Sequence, residues 1–299
     1  MDAVLTLIAA PDAELQCTTV DQVREALSAL GAECGAVDWL APARACDLPF
    51  DGIVPDKADA AARLVLRAAQ VDVIAQPKGD RKKRLLVADM ESTIIRQEML
   101  DELGALVGLG ARIAGITRQA MNGELDFKSA LRERVALLAG LPESAVVQAS
   151  DGMELMPGAR ALVQTMRASG AWCILVSGGF RVFTRRVAAA VGFHEERGNE
   201  LEVLDGRLTG RTLEPVLDRD SKVAALMSTA GARRIPIRAV LAVGDGANDL
   251  PMLEIAGLGV AFHAKPSVAA AARTRLDHAD LTGLLYAQGY HQAEIVGSA

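Results

Sequence analysis

Aromatic side chains are scarce in this chain, only 3% of its 299 residues. With just over half of the residues hydrophobic, a buried core has to be assembled from Ala, Val and Leu. Cysteine is scarce as well. Cys17, Cys34, Cys46 and Cys173 form no CxxC pair and share no zinc-type spacing with histidine, which argues against a disulfide framework or a zinc site. No apolar run reaches the roughly 18–20 residues needed to span a bilayer. The start of the chain carries Asp2 where a signal peptide has basic residues. The expectation is a soluble, cytoplasmic protein with reduced thiols and no membrane partner. The formal net charge is -6 and no basic stripe is present, so nucleic acid is not an expected partner either. The one basic run, Arg81-Lys82-Lys83-Arg84, reads as a solvated linker.

The patterns that are present divide the chain. Residues 3–9 read as a buried strand and 19–30 as an amphipathic helix capped by Thr18 or Thr19 and ended by Gly31. A second strand is expected at 35–40, an irregular proline-bearing stretch up to Pro55, a helix over 57–70 and a strand from Val71 to Ala75. Together these predict a small α+β domain over 1–78, with a polar linker at its end. A larger domain is expected over 79–288, with 289–299 as a frayed tail. Three short apolar runs in this domain, Leu85–Ala88, Trp172–Val176 and Val240–Val243, each suit a buried parallel strand. Helical patterns separate them, which predicts an α/β fold with an open, Rossmann-like parallel sheet. In such sheets ligands bind beyond the carboxyl ends of the strands. Residues 98–149 interrupt the alternation with helical periodicity, as in Met99-Leu100-Leu103 and Leu131-Val135-Leu138, and read as a helical cap inserted after the first core strand.

Polar residues follow each of the three runs. Asp89-Met90-Glu91-Ser92-Thr93 places two carboxylates directly after a buried strand, where they must be solvated, paired or metal-bound. Gly244-Asp245-Gly246-Ala247-Asn248-Asp249 repeats the arrangement with flanking glycines. Hard oxygen donors of this kind suit Mg2+. Ser177-Gly178-Gly179 offers a hydroxyl and backbone N–H groups that can cradle a phosphate. Taken one at a time, each motif is also compatible with an ordinary capped turn, and Lys222 with a surface charge.

The order DxxxT, SGG, Lys, GDGAND resembles the haloacid dehalogenase superfamily. Within it, the pattern Ile116-Thr117-Arg118-Gln119-Ala120-Met121-Asn122-Gly123, Phe127 and Leu131-Arg132-Glu133-Arg134-Val135 is similar to enzymes that hydrolyse phosphoserine. The resemblance covers about residues 85–285. It implies an aspartyl-phosphate mechanism with Asp89 as nucleophile, Glu91 as proton donor and acceptor, and Lys222 holding the phosphate. It implies Mg2+ held by Asp89, Asp245, Asp249 and the carbonyl of Glu91. Substrate would be bound by Glu98, Met121, Phe127, Arg134, Ser177, Gly178, Lys222 and Asn248. Glu98 and Arg134 would meet the ammonium and carboxylate of a small phospho-amino acid, as in the closing step of serine biosynthesis. The preceding domain loosely resembles the ACT-type domains of some relatives, on element order alone, with a homodimer through it as a further expectation.

One position departs from the pattern: the superfamily has aspartate where this chain has Glu91. One extra methylene moves the carboxyl by about 1 Å, a misplacement that can cost about 10²-fold in rate. Glu91→Asp is therefore expected to equal or improve turnover. The alternatives are a phosphatase or phosphotransferase for another small phosphomonoester, and a catalytically weakened amino-acid-binding protein.

Overall fold

The computed structural model describes residues 1–121 and 124–297, apart from the side chains of Ala120 and Met121. The chain forms two compact units. One comprises Met1–Leu86, Pro157–Trp172 and Ala230–Ala299, the other Val87–Met156 and Cys173–Thr229. The fold is α/β with parallel strand pairing, and among the described residues no helix is long and apolar enough to cross a membrane.

The first unit opens with an antiparallel sheet. Its strands run in the order Glu33–Cys34, Ala45–Asp51, Ala3–Ala9, Val71–Pro77, with Asp38–Ala41 also pairing on Ala45–Asp51. Alternate residues of a strand face opposite sides. Leu5, Leu7, Leu48, Phe50 and Val73 pack with Val20, Val23 and Leu27 of the helix Cys17–Ala29 and with Ala58 and Ala62 of Pro55–Val65. Where irregular chain was expected before Pro55, a seven-residue central strand is found. Pro49 is tolerated there because its carbonyl alone takes part, accepting from the Gly35 N–H. The first helix begins two residues earlier than expected, and Gln16 at its N-cap makes no side-chain capping bond.

The other face of this sheet carries Thr6, Asp47, Asp72 and Gln76, all buried. The basic run meets it. Arg81 donates to both carboxylate oxygens of Asp47 at 2.6 and 3.0 Å, to Thr6 Oγ1 at 3.0 Å and to the Ala287 carbonyl. Lys83 is also buried, with its Nζ donating to the carbonyls of Asp80 and Arg238. The solvated-linker reading therefore fails for Arg81 and Lys83, whose long side chains satisfy inward-facing oxygens. The same unit contains Val240–Gly244, Leu258–Phe262 and Thr274–Leu276, paired parallel in that order. The stretch expected to fray is packed in part: Tyr290 is buried, and the Val296 N–H donates to Thr165 Oγ1.

The strand Leu85–Ala88, fully buried, begins in the first unit and ends in the second. The second unit then holds four helices, Met99–Leu106, Gly110–Met121, Phe127–Ala136 and Glu143–Asp151, where the cap was expected. Met99, Leu100 and Leu103 are buried on one face of the first, and Leu131 and Val135 on the third. Trp172–Phe180 pairs parallel with Glu195–Asn199, and the helix Arg219–Ala232 follows a two-stranded hairpin of Leu201–Leu204 and Arg207–Thr212.

Candidate active site

In the second unit the chain leaves Leu85–Ala88 at Asp89, which is 6% exposed. Lys222, in the first turns of Arg219–Ala232 and 2% exposed, places Nζ 2.7 Å from Asp89 Oδ1. Asp218 stands just before that helix and accepts from the backbone N–H groups of Asp220 and Ser221, which fixes where the helix starts. After Asp89 the chain turns sharply. Ser92 has φ 54°, unusual for a residue with a side chain, and the N–H groups of Ile94 and Ile95 both donate to the Met90 carbonyl. That turn brings the Ser92 hydroxyl to within 2.9 Å of Glu98 Oε1, to which it donates.

Glu91 points back into this turn. Its Oε1 accepts from the Met99 N–H at 2.9 Å, the first N–H of the helix Met99–Leu106. Burial, then the neighbouring Glu98 carboxylate, and also Asp89, push its pKa up to about 8, against the pull of the Met99 N–H and Lys222. A proton donor at neutral pH needs this kind of shift. Arg134 is half-buried on Phe127–Ala136, donating to the Ala130 carbonyl and to Thr117 Oγ1. Burial lowers its pKa, while Asp101, Glu91 and Glu98 support its charge. The cationic and anionic groups expected for a zwitterionic substrate thus lie within electrostatic reach of each other. Asp101 belongs to the same set and was missed from the sequence, where it reads as an ordinary first-turn helix acid.

Ser177 is buried, and its Oγ accepts from the Gly179 N–H at 2.9 Å. Phe127 is 37% exposed despite its ring, and its Cζ lies 3.3 Å from where a Cβ on Gly178 would stand. The ring therefore lies against the bare backbone of Gly178, as an apolar cover would. Asn199, 2% exposed, donates to the Gly178 carbonyl at 2.7 Å and accepts from the Leu217 N–H at 2.7 Å. It ties the Ser177-Gly178-Gly179 segment to the chain entering the Lys222 helix. Sequence reading missed it, because a single Asn at a strand end carries no pattern. Among the expected binding residues, the side chain of Met121 lies outside the described residues, as do Asn122 and Gly123 of the same motif.

The third motif lies in the first unit. Val240–Gly244 is wholly buried, and Asp245 and Asp249 beyond it are 7% and 0% exposed. Asp249 Oδ2 accepts from the Gly246 N–H at 3.0 Å. A Cβ on Gly244 would stand 2.3 Å from Asp249 Cγ, and one on Gly246 2.3 Å from Asn248 Oδ1. Both glycines are thus required for these side chains to fold back over the turn. Two buried carboxylates in one tight turn are a hard-oxygen donor set of the kind Mg2+ takes.

Comparison with known proteins bears on what this arrangement is. The profile of the haloacid dehalogenase-like hydrolases matches residues 86–254. The phosphoserine phosphatase SerB2 of Mycobacterium tuberculosis is 43% identical over 227 residues, 75% of this chain and 56% of that protein. The chain spans only 56% and 62% of the length of the first two curated relatives it matches. A probable phosphoserine phosphatase from Vibrio cholerae, solved unliganded, superposes with a TM-score of 0.79 at 31% identity, over 98% of this chain and 88% of that one. A phosphoserine phosphatase solved as a phospho-aspartyl intermediate analogue superposes with a TM-score of 0.64 at 34% identity, over 68% of this chain and 98% of that one. A profile match over more than half of its length shows that this chain belongs to the haloacid dehalogenase-like hydrolases.

Proposed function

We propose that this chain is a phosphoserine phosphatase, hydrolysing O-phospho-L-serine to L-serine and phosphate in the last step of serine biosynthesis. The observation that carries the reading is the buried Lys222–Asp89 pair at the end of a parallel strand, with Glu91 two residues on. The identity to SerB2 of Mycobacterium tuberculosis and the zwitterion-matching Glu98 and Arg134 support the choice of substrate.

In this mechanism a carboxylate oxygen of Asp89 attacks phosphorus, and the bond to the serine oxygen breaks. Glu91, held protonated near neutral pH, gives its proton to that oxygen as it leaves. The Glu91 carboxylate then takes a proton from water as the water attacks the aspartyl phosphate, which frees phosphate and restores Asp89. Lys222 and the Ser177-Gly178 segment bear the charge on the phosphoryl oxygens, where electrostatic support contributes most to rate. Arg134 grips the substrate carboxylate and Glu98 its ammonium, while Phe127 excludes water. Asp89, Asp245, Asp249 and the Glu91 carbonyl would hold Mg2+, with Asn248 supporting them. A bound Mg2+ would supply neutralisation of the negative charge gathered there.

For residues 1–78, two helices packed on an antiparallel sheet in the order β-α-β-β-β-α-β, one strand more than the split β-α-β pattern, support an ACT-like regulatory domain. A homodimer through it and a cytoplasmic location complete the proposal. The deciding experiment is phosphate release from phosphoserine with and without Mg2+. Asp89→Asn should abolish it, since an amide does not attack phosphorus, and retained turnover would refute the mechanism.

A further inference from the structure

Gly178 and Gly179 are both absent from the residues with positive φ, so neither is demanded by backbone conformation. Each is explained by what lies above it. Gly178 faces the Phe127 ring. Gly179 faces the Glu91 carboxyl: a Cβ there would stand 2.9 Å from Oε2, 3.1 Å from Cδ and 3.1 Å from Oε1. All three atoms at the far end of Glu91 therefore rest on the bare Gly179 backbone. On the other side, Oε1 is fixed by the Met99 N–H at 2.9 Å. The Gly179 N–H is itself oriented by Ser177 Oγ, so the floor under the carboxyl is held in place.

From this we infer that Gly179 and the Met99 amide form a seat cut to the length of a glutamate, and that they are the positioning elements for proton transfer by Glu91. The inference rests on the phosphatase reading and extends it. It reverses the expectation drawn from the sequence. The extra methylene does not leave the carboxyl overshooting its post; it carries the carboxyl out to a hydrogen bond and a contact surface that a shorter acid does not reach. An aspartate at this position gives up the Met99 N–H and falls short of Gly179 by about one C–C bond, a displacement that costs on the order of 10²-fold where geometry governs proton transfer.

The test is a double-mutant cycle on phosphoserine turnover. Glu91→Asp should lower kcat by about 10- to 100-fold with KM nearly unchanged. Gly179→Ala in the wild-type background should lower kcat at least ~10-fold, because the new methyl displaces the carboxyl. In the Glu91→Asp background the same Gly179→Ala change should cost less than about 3-fold, because the shorter side chain leaves the space empty. Additive losses would overturn the seat, and so would a Glu91→Asp protein that matches wild type. With p-nitrophenyl phosphate, whose leaving group departs without a proton, each variant should keep the initial burst of nitrophenolate. Loss of the burst would show damage to Asp89 or to phosphate binding and would also overturn the assignment. If Gly179→Ala does not fold, Glu91→Asp alone decides. A wild-type protein inactive on both compounds would overturn the phosphatase reading, and the inference with it.

Discussion

Asp72 and Glu91 are acids of similar chemistry placed in different units, and burial raises the pKa of both. Asp72 is 1% exposed and accepts three backbone N–H bonds, from Asp277 at 2.7 Å, His278 at 3.1 Å and Ala279 at 2.7 Å. These donors pull its pKa back down, and they make the carboxylate a staple between the strand Val71–Pro77 and the chain after Thr274–Leu276. Glu91 has the Met99 N–H and sits among the negative charges of Glu98 and Asp89, which raise its pKa further. The contrast separates two uses of a buried acid. Ringed by amide donors, it holds structure. Set beside like charges, it holds its proton more tightly, which suits the proton transfer proposed for it.

The sharpest way to break the comparison is to neutralise each acid in turn. Glu91→Gln should lower kcat on phosphoserine by about 10²- to 10⁴-fold while the melting temperature stays within a few degrees of wild type. Asp72→Ala should do the reverse, destabilising by about 3 kcal/mol or more in denaturant titration, since three amides lose their acceptor, with kcat per folded molecule preserved. A catalytic defect in the second variant, or unfolding in the first, would erase the distinction. Asp72→Asn is the gentler probe. It keeps one acceptor oxygen, so a loss of about 1–2 kcal/mol is expected in the same titration.

Asn199 sharpens the comparison from the neutral side, because it staples Gly178 to Leu217 within the catalytic unit. Asn199→Ala should cost about 1–3 kcal/mol and also raise KM, a combination that a staple remote from substrate does not produce. The smallest effect concerns pH. The folded pKa of Glu91 is raised, so between the ordinary carboxylate range and about 8 the folded state binds more protons than the unfolded one. Its stability contribution is then complete at low pH and is lost as pH rises toward 8. In metal-free protein the denaturation midpoint should fall from pH 5.5 to 8 more steeply for wild type than for Glu91→Gln. Parallel profiles would show that Glu91 is ionised throughout.

The buried strands that carry the site were legible because runs such as Leu85-Leu86-Val87-Ala88 have one physical use, and the carboxylates at their ends had few others. The cap was legible from its helical spacing. What escaped was set by distant partners. Pro49 concealed a central strand because its missing N–H does no harm there. Arg81 read as solvated because Asp47, 34 residues earlier, gives no sign in sequence of pointing inward. Tyr290 read as tail because nothing local marks it as buried. The seat of Glu91 was hidden for the same reason. Gly179 belongs to a phosphate-type motif, and its contact with a side chain far earlier in the chain appears only on folding.

The staple at Asp72, together with the Arg81–Asp47 pair, bears on modularity. Asp72 and Asp47 lie before residue 79, while their partners Asp277, His278, Ala279 and Arg81 lie after it. Cutting the chain at that point would strand three amides and a half-buried guanidinium in the remainder. The amino-terminal segment is in this sense a graft that has healed. It cannot be exchanged for another domain by matching the linker alone; a successor would have to present an inward carboxylate to the 277–279 backbone and another to Arg81.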